Sequence, residues 1–269
     1  MTLQLSLAPD VGLDRLPAWF YCTVRLQHTL RTAIHISPAR DDAEQQLRVS
    51  QRHADLVHAG AALAAHLARE YGYRPLVRAI GVFDEAVLFA RAGGPTRVRD
   101  LAGDAAGDPD HAGPVTLALP PVPDLHALAR LLLEPAGLPP EGLVTHWCRR
   151  ECLVARRVLR GESLLGVLPE RRFHALPEAE RGPLVPLTRS RIQALYHPIL
   201  IAPDLAEARE SLATAFISLA VDSQGRAGLA GLGAPLGFEP LGEEDLAFMG
   251  DLMDGLLFLP DAAGGAVWI

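Results

Sequence analysis

The sequence lacks several features by which particular classes of protein are recognised. It contains no lysine and no asparagine, so its 25 basic residues are all arginine. The 32 acidic residues outnumber them and give a formal net charge of −7, which excludes a basic nucleic-acid-binding module. The three cysteines are an odd number and too few for a disulfide-stabilised scaffold, which favours a reducing compartment.

Long hydrophobic runs are also absent. No apolar stretch reaches the roughly 18 to 20 residues that a membrane-spanning helix needs, so we expect no insertion into a membrane. Residues 1–10 alternate as a strand, with Leu3, Leu5 and Leu7 on one face, and do not have the basic, apolar and small-residue regions of an export signal. We therefore predict a cytoplasmic protein, or a periplasmic one if the sequence is the trimmed mature form of a longer chain.

Recognised catalytic and phosphate-binding motifs are missing too. Closely spaced glycines occur at Gly225, Gly228, Gly231 and Gly233. They do not form a phosphate-binding loop, because no strand precedes them and no Lys-Ser/Thr pair follows. The chain has neither the Gly-x-Ser-x-Gly motif of serine hydrolases nor the His-Glu-x-x-His motif of zinc proteases.

What the sequence does contain is enough apolar residues for a core and a regular alternation of strands and helices. The 269 residues are 49% apolar and 21% charged, which suits one large domain or two smaller lobes. Residues 3–71 alternate between strand and helix patterns, which favours a parallel sheet with right-handed crossovers. A segment rich in Gly, Asp and Ala at 93–114 precedes a second unit of the same kind.

We therefore predict an α/β fold of two parallel-sheet lobes joined by a two-crossing hinge. Residues 1–92 and 188–269 are expected to form the first lobe, and residues 93–187 the second. The crossings are expected near Arg91–Gly94 and Pro186–Arg189. Ligands of such sheets bind beyond the carboxyl ends of the strands, so the strand-to-helix turns are the candidate binding region.

A family resemblance rests on short motifs that occur in one order along the chain. They are Ala54–Val57 followed by His58–Gly60, then Asp100–Leu101, Leu117–Pro120, Val158–Gly161, Pro198–Ile201, Gly237–Phe238 and Glu243–Leu246. In this order they resemble the substrate-binding proteins of phosphonate and phosphate ABC importers, from Leu3 to about Met253. The resemblance implies a type 2 periplasmic-binding-protein fold that closes on a small ligand by hinge motion, and an ABC permease as partner.

The resemblance also implies where an anion is held, and this chain departs from the family pattern there. Members that bind phosphonates resemble one another in a Ser/Thr-rich, glycine-containing turn after the first strand of the second lobe. Here the turn is Pro120-Pro121-Val122-Pro123, in which three prolines remove three N–H donors, and Asp124 places a carboxylate at the positive end of the next helix. We therefore predict a ligand other than a simple phosphonate: a neutral or cationic one, or an anion held mainly by arginines.

Candidate ligand contacts in the predicted first lobe are Asp10, His58, Gly60 and Tyr196. Asp10 and His58 follow strands, although both residue types are also common in turns. Gly60 opens a helix whose N–H groups can hold an anion. Tyr196 precedes Pro198 on the returning crossing, where it either approaches the ligand or packs under the hinge.

Candidate contacts in the predicted second lobe are Pro121, Asp124 and Glu151, the last standing where the family tends to have a histidine. Arg149 and Arg150 either neutralise an anionic ligand or lie in solvent at a helix end. His146, Cys148 and Cys152 suit zinc or copper(I), but the incomplete ligand set favours a structural role for them. We predict no metal and no cofactor.

Two other classes of function remain open alongside the predicted one. An enzyme on the same bilobed scaffold, similar in fold class to the menaquinone-pathway dehydratases, would use Asp124 or Glu151 as a dehydratase- or lyase-like acid or base. A protein-interaction remnant would have lost the pocket. We predict a non-enzymatic protein that binds a small molecule for uptake or sensing, with an ABC permease or a regulatory protein as its partner.

Overall fold

The computed structural model describes residues 2–101, 114–138 and 142–257, and these fold into two compact units. Of the described residues, the first unit contains 2–83 and 194–252, and the second contains 84–101, 114–138, 142–193 and 253–257. The chain therefore passes between units at 83/84 and 193/194, whereas the sequence analysis placed these points at 92/93 and 187/188. The positions differ because the strands that flank them, Ala86–Arg91 and Leu184–Arg189, pair with each other in the second unit.

The strands and helices are numbered in chain order. The strands are β1 (Thr2–Leu7), β2 (Ala33–Pro38), β3 (Leu56–His58), β4 (Arg74–Ala79), β5 (Ala86–Arg91), β6 (Val115–Leu119), β7 (Leu143–Trp147), β8 (Leu165–Pro169), β9 (Leu184–Arg189), β10 (Ile199–Ile201) and β11 (Phe238–Pro240). The helices are α1 (Leu16–Leu30), α2 (Asp42–Ser50), α3 (Ala61–Tyr71), α4 (Pro123–Leu133), α5 (Glu151–Leu159), α6 (Glu170–His174), α7 (Glu178–Arg181), α8 (Arg209–Ser218), α9 (Ser223–Leu232) and α10 (Glu243–Leu257).

The sheet of the first unit is mixed, with strand order β11-β4-β10-β3-β1-β2. β1 is parallel to both β2 and β3, as the alternation of strands and helices predicts. β10 is antiparallel to β3 and β4, and β11 is antiparallel to β4. β10 is reached through the second unit and not through a strand–helix–strand crossover, so the rule that makes crossover-linked strands parallel does not fix its direction.

The sheet of the second unit is also mixed, with strand order β7-β6-β8-β5-β9. β6 is parallel to β7 and β8, whereas β5 is antiparallel to β8 and β9. The apolar stretch at 76–91, which the sequence predicts as one bent strand or a strand pair, is divided between the two sheets. The strand predicted at 192–201 is shorter, since β10 covers Ile199–Ile201 and the preceding Pro198 has no N–H to pair.

Alternating burial explains how β1 is fixed between helices. Leu3, Leu5 and Leu7 are at most 3% exposed and belong to one core cluster with Trp19 and Leu26 of α1. The turn after β1 leads into α1, and Gly60 after β3 is the N-cap of α3, so both turns lie at the carboxyl ends of parallel strands. Among the helices of the described residues, none is long and apolar enough to cross a membrane.

Substitution of Gly166 in β8 measures how tightly the core of the second unit is packed. An added Cβ would lie 2.5 Å from Cζ of Phe89 and 3.0 Å from Cγ2 of Val158. We expect Gly166→Ala to lower the free energy of unfolding by about 1–3 kcal/mol through overpacking, measured by urea denaturation. The matched control is Gly255→Ala in α10, where no described atom lies within 4 Å and stability should stay equal or rise. Equal effects of the two substitutions would contradict this packing.

Candidate functional site

The carboxyl ends of β1 and β3 bring carboxylates, imidazoles and an indole together in the first unit. We call the group of Asp10, Trp19, Asp42, His58 and His197 the His–Asp cluster. Nε2 of His197 lies 3.1 Å from Oδ1 of Asp10, a contact that becomes an ion pair when His197 is protonated. The imidazoles of His58 and His197 stack with centroids 5.2 Å apart, and the ring of Trp19 meets His58 edge-on at 5.1 Å. The structure thus brings together Asp10 and His58, which the sequence analysis selected separately.

The first turn of α2 supplies the second carboxylate of the His–Asp cluster. Asp41 is the N-cap, and its Oδ1 accepts a hydrogen bond from the backbone N–H of Glu44 at 2.8 Å. Asp42 follows as the first residue of the helix. Burial, and next the carboxylate of Asp10, raise the pKa of Asp42, while the nearby His197 lowers it. The cluster is therefore an environment that favours a neutral carboxyl or a neighbouring positive charge.

A buried glutamine holds the strand ends beneath the cluster in place. Gln45 of α2 is 0% exposed. Its Nε2 donates to Oγ of Ser6 at 3.2 Å and to the backbone carbonyl of His58 at 3.0 Å. Because Ser6 lies on β1 and His58 ends β3, one side-chain amide joins both strands to α2 and fixes the backbone that carries the His58 imidazole.

Gly60 is the N-cap of α3, as expected for the glycine that opens this helix. Its backbone is extended, and its carbonyl accepts the N–H of Ala64 at 2.8 Å. Ala61, the first residue of the helix, is 0% exposed. The start of α3 is therefore partly buried, since Gly60 and Ala62 on either side of Ala61 are half-buried.

Tyr196 packs away from the His–Asp cluster although it adjoins His197 in sequence. It is 4% exposed, and its hydroxyl donates to the backbone carbonyl of Asp245 at 3.3 Å. The guanidinium of Arg78 lies 5.0 Å from the Tyr196 ring centroid and forms an ion pair with Glu239 at 2.8 Å. Burial raises the pKa of Tyr196. In this structure the tyrosine therefore joins β4, β11 and α10, which is the packing role that the sequence analysis left open.

In the second unit, the turn between β6 and α4 has few hydrogen-bond donors. Its residues 120–123 include three prolines and one N–H donor, that of Val122. This N–H is used inside the turn, since it donates to the carbonyl of Pro120 at 2.9 Å. Pro123 opens α4, and Asp124 in the first helical turn is 7% exposed. The structure thus places a buried carboxylate, and no donor from the turn itself, where the helix dipole would otherwise favour an anion.

Glu151 lies in the first turn of α5, next to the end of β7. Its Oε2 is 3.0 Å from Nε of Arg172 on α6. Glu151 is therefore held as the partner of an arginine on a neighbouring helix.

The cysteines and His146 do not form a shared ligand set. Nδ1 of His146 is 2.8 Å from Oγ of Ser163. Cys148 is buried, which raises the pKa of its thiol, whereas Cys152 is exposed. Across residues 2–101, 114–138 and 142–257, no group of His, Cys, Asp and Glu side chains is arranged to hold a metal ion.

Sequence reasoning missed Asp42 and Trp147, and it left the role of His197 open. Asp42 has the appearance of an acidic residue at an ordinary helix start, and His197 was expected either to approach the ligand or to pack under the hinge beside Pro198. Trp147 ends β7 and is 43% exposed, but a tryptophan at the end of an apolar strand reads as part of the core. Their position in the sequence could have revealed them, because all three lie within a few residues of a predicted strand or helix end.

Known proteins share this architecture and much of this sequence pattern. The model of a family described as "ABC transporter, phosphonate, periplasmic substrate-binding protein" matches residues 16–246. No curated protein sequence matches the chain significantly.

Solved structures of bilobed binding proteins are similar to the chain over most of its length. PhnD1 from Prochlorococcus marinus in complex with methylphosphonate has 12% identity and a TM-score of 0.74, covering 95% of this chain and 98% of that chain. XAC2383 from Xanthomonas citri bound to ATP has 18% identity and a TM-score of 0.71, covering 95% and 96%. The periplasmic aliphatic sulphonate binding protein SsuA from Escherichia coli has 14% identity and a TM-score of 0.60, covering 94% and 85%. At such identities the likeness shows the fold, and it confirms the predicted α/β fold class.

Thiol accessibility provides a direct test of the cysteine environments. We expect a charged thiol reagent to modify Cys152 rapidly in the native protein, and to modify Cys22 and Cys148 only after unfolding. Burial of Cys22 raises its pKa to about 11, so its thiolate is scarce at neutral pH. The measurement is the number of thiols modified per chain with and without denaturant, with Cys152→Ser as control. Fast native labelling that survives in Cys152→Ser would contradict these placements.

Proposed function

The chain belongs to the phosphonate-binding periplasmic substrate-binding proteins of ABC transporters, and we propose that the solute it binds for uptake is not a simple phosphonate. The observation that carries the proposal is the turn before α4. Its single N–H donor is consumed by the Pro120 carbonyl, and Asp124 brings a buried carboxylate to the same helix start. An anion placed there would leave water without gaining a hydrogen bond from residues 120–123 and would face a like charge.

The His–Asp cluster is the proposed ligand contact of the first unit. Asp10 and Asp42 are acceptors, and the imidazoles of His58 and His197 can donate or accept according to protonation. These acceptors suit a solute that carries hydrogen-bond donors on the side that faces the His–Asp cluster. We assign Gly60 and Tyr196 to structural support, since the first is the N-cap of α3 and the second is buried between Arg78 and the backbone of Asp245.

The proposed ligand contacts of the second unit are Pro121 and Asp124 in the turn before α4, with Glu151 supporting the adjacent turn. We propose that the ligand binds the closed arrangement of the two units more tightly than the open one, and so shifts the population toward it. The ATP-bound structural neighbour supports the view that chains of this fold accept solutes other than phosphonates.

Binding without turnover is the function that these contacts favour. Glu151, one of the two carboxylates that an enzyme would use, is instead held in an ion pair with Arg172 at 3.0 Å. Delivery to an ABC permease follows from the family, and sensing through a regulatory protein is the other outcome. Native mass spectrometry of protein purified from its own host tests the proposal by revealing the retained solute, and an adjacent permease gene, rather than a regulator gene, is the expected genomic context.

Calorimetry with methylphosphonate tests the exclusion of simple phosphonates. We expect no binding in the micromolar range for the unmodified chain. Asp124→Asn should strengthen methylphosphonate binding about tenfold, because removing one carboxylate within several ångströms of an anion is worth on the order of 1–2 kcal/mol.

The matched control is Glu134→Gln, which makes the same charge change at the exposed C-cap of α4 and should leave affinity unchanged. Micromolar binding of methylphosphonate by the unmodified chain would overturn the proposed ligand exclusion.

A further inference from the structure

An exposed tryptophan ends strand β7 at the binding edge of the second unit. Trp147 is 43% exposed, whereas Trp19 of the first unit is 4% exposed. The ring of His126 meets the indole at a centroid distance of 5.5 Å and an angle of 73°. An edge contact of this kind limits the movement of the indole while leaving much of its surface accessible. Large exposed aromatic side chains that are held in place commonly mark binding surfaces.

Strand register places this tryptophan beside the turn that lacks donors. β6 and β7 are parallel, with Leu119 opposite Trp147, and the N–H of Cys148 donates to the Leu119 carbonyl at 2.9 Å. Both strands thus end together, with Pro121 following β6 and Trp147 closing β7. This is the carboxyl edge, at which ligands of parallel strands bind. The edge therefore offers an aromatic surface next to the turn that cannot hold an anion.

Positive charge follows directly after the tryptophan. Arg149 and Arg150 are exposed, and within the described parts of the chain neither guanidinium has a hydrogen-bond or ion-pair partner. Glu151 does not neutralise them, because its carboxylate pairs with Arg172 at 3.0 Å. Arg150 is the N-cap residue of α5, so both arginines lie where a helix begins. A guanidinium binds carboxylate and phosphate groups through paired N–H donors.

We infer that Trp147 and Arg149 form the specificity surface of the second unit and that the ligand carries a planar aromatic ring bearing an anionic group. The ring stacks on the Trp147 indole, and the anion meets the Arg149 guanidinium. The anion therefore binds at the turn before α5, and not at the turn before α4. This inference rests on the proposed binding function and names the chemical class of its solute.

Adenosine 5′-monophosphate and ribose 5-phosphate are the probes, since they share a phosphate and differ in the aromatic base. With the intact protein, calorimetry should show at least about tenfold tighter binding of adenosine 5′-monophosphate. Trp147→Ala should weaken that binding at least about fivefold and leave ribose 5-phosphate unchanged, because base stacking is lost. Trp147→Phe should retain most of the preference, and Arg149→Ala should weaken both probes to a similar extent.

The control variant is Phe248→Ala, which removes an aromatic side chain that is 63% exposed on α10 of the first unit and should leave both probes unchanged. Thermal unfolding of each variant confirms that it is folded. Equal affinity for the two probes, absence of millimolar binding of either, or a preference that survives Trp147→Ala would overturn the inference. Micromolar binding of methylphosphonate together with an intact preference for the aromatic probe would overturn the proposed phosphonate exclusion and support this inference.

Discussion

The register of the parallel strand pairs is the constraint on which the candidate binding chemistry depends. In the first unit Ser6 is opposite Val57, so the turns after β1 and β3 leave the sheet at neighbouring positions. In the second unit Leu119 is opposite Trp147, so the turns after β6 and β7 also leave the sheet at neighbouring positions. A shift of one residue in either pair would send each side chain of that strand to the opposite face. The Gln45 amide reinforces this register in the first unit, because it bonds to both strands.

The prolines of the turn at 120–123 shape the turn and also remove N–H donors from it. An anion that leaves water needs about as many donors in its site as it had in solution. A turn of serine, threonine and glycine supplies such donors from side chains and backbone, whereas the turn at 120–123 has one N–H and uses it internally. The positive end of the α4 dipole is then faced by Asp124. This difference in donors is confined to one turn, and it is the basis of the proposal that the ligand is not a simple phosphonate.

The sequence predicts those features that depend on local pattern. The first three strands, the helices between them, and the chemistry of the turn before α4 follow from periodicity and from the properties of proline. The strand β10 does not, because Ile199–Ile201 is too short for a periodic signal and its direction depends on pairing with β3 and β4.

Tyr196 and His197 show the same limit at the level of side chains. Successive residues of an extended segment point to opposite sides, but the pattern does not say which side faces the cluster. In the structure Tyr196 contacts Arg78 and the backbone of Asp245, whereas His197 contacts Asp10. Asp10 and His58 could be predicted because a strand end fixes their location, whereas their link through His197 required the tertiary fold.

Because the chain has no lysine, the ion pairs of its arginines decide where positive charge remains on the second unit. Its helices and strand β9 carry several exposed or half-exposed ion pairs, including Arg156 with Glu180 and Arg189 with Glu170. Such pairs contribute little to stability, at most about 1 kcal/mol each, but they cancel each other's charge locally. The field at the turn before α5 is then set by the Arg149 and Arg150 guanidinium groups, since Glu151 is already matched by Arg172. This turn therefore presents two exposed guanidinium groups next to the exposed Trp147 indole, and this combination is the basis of the proposal that the solute is a flat anion.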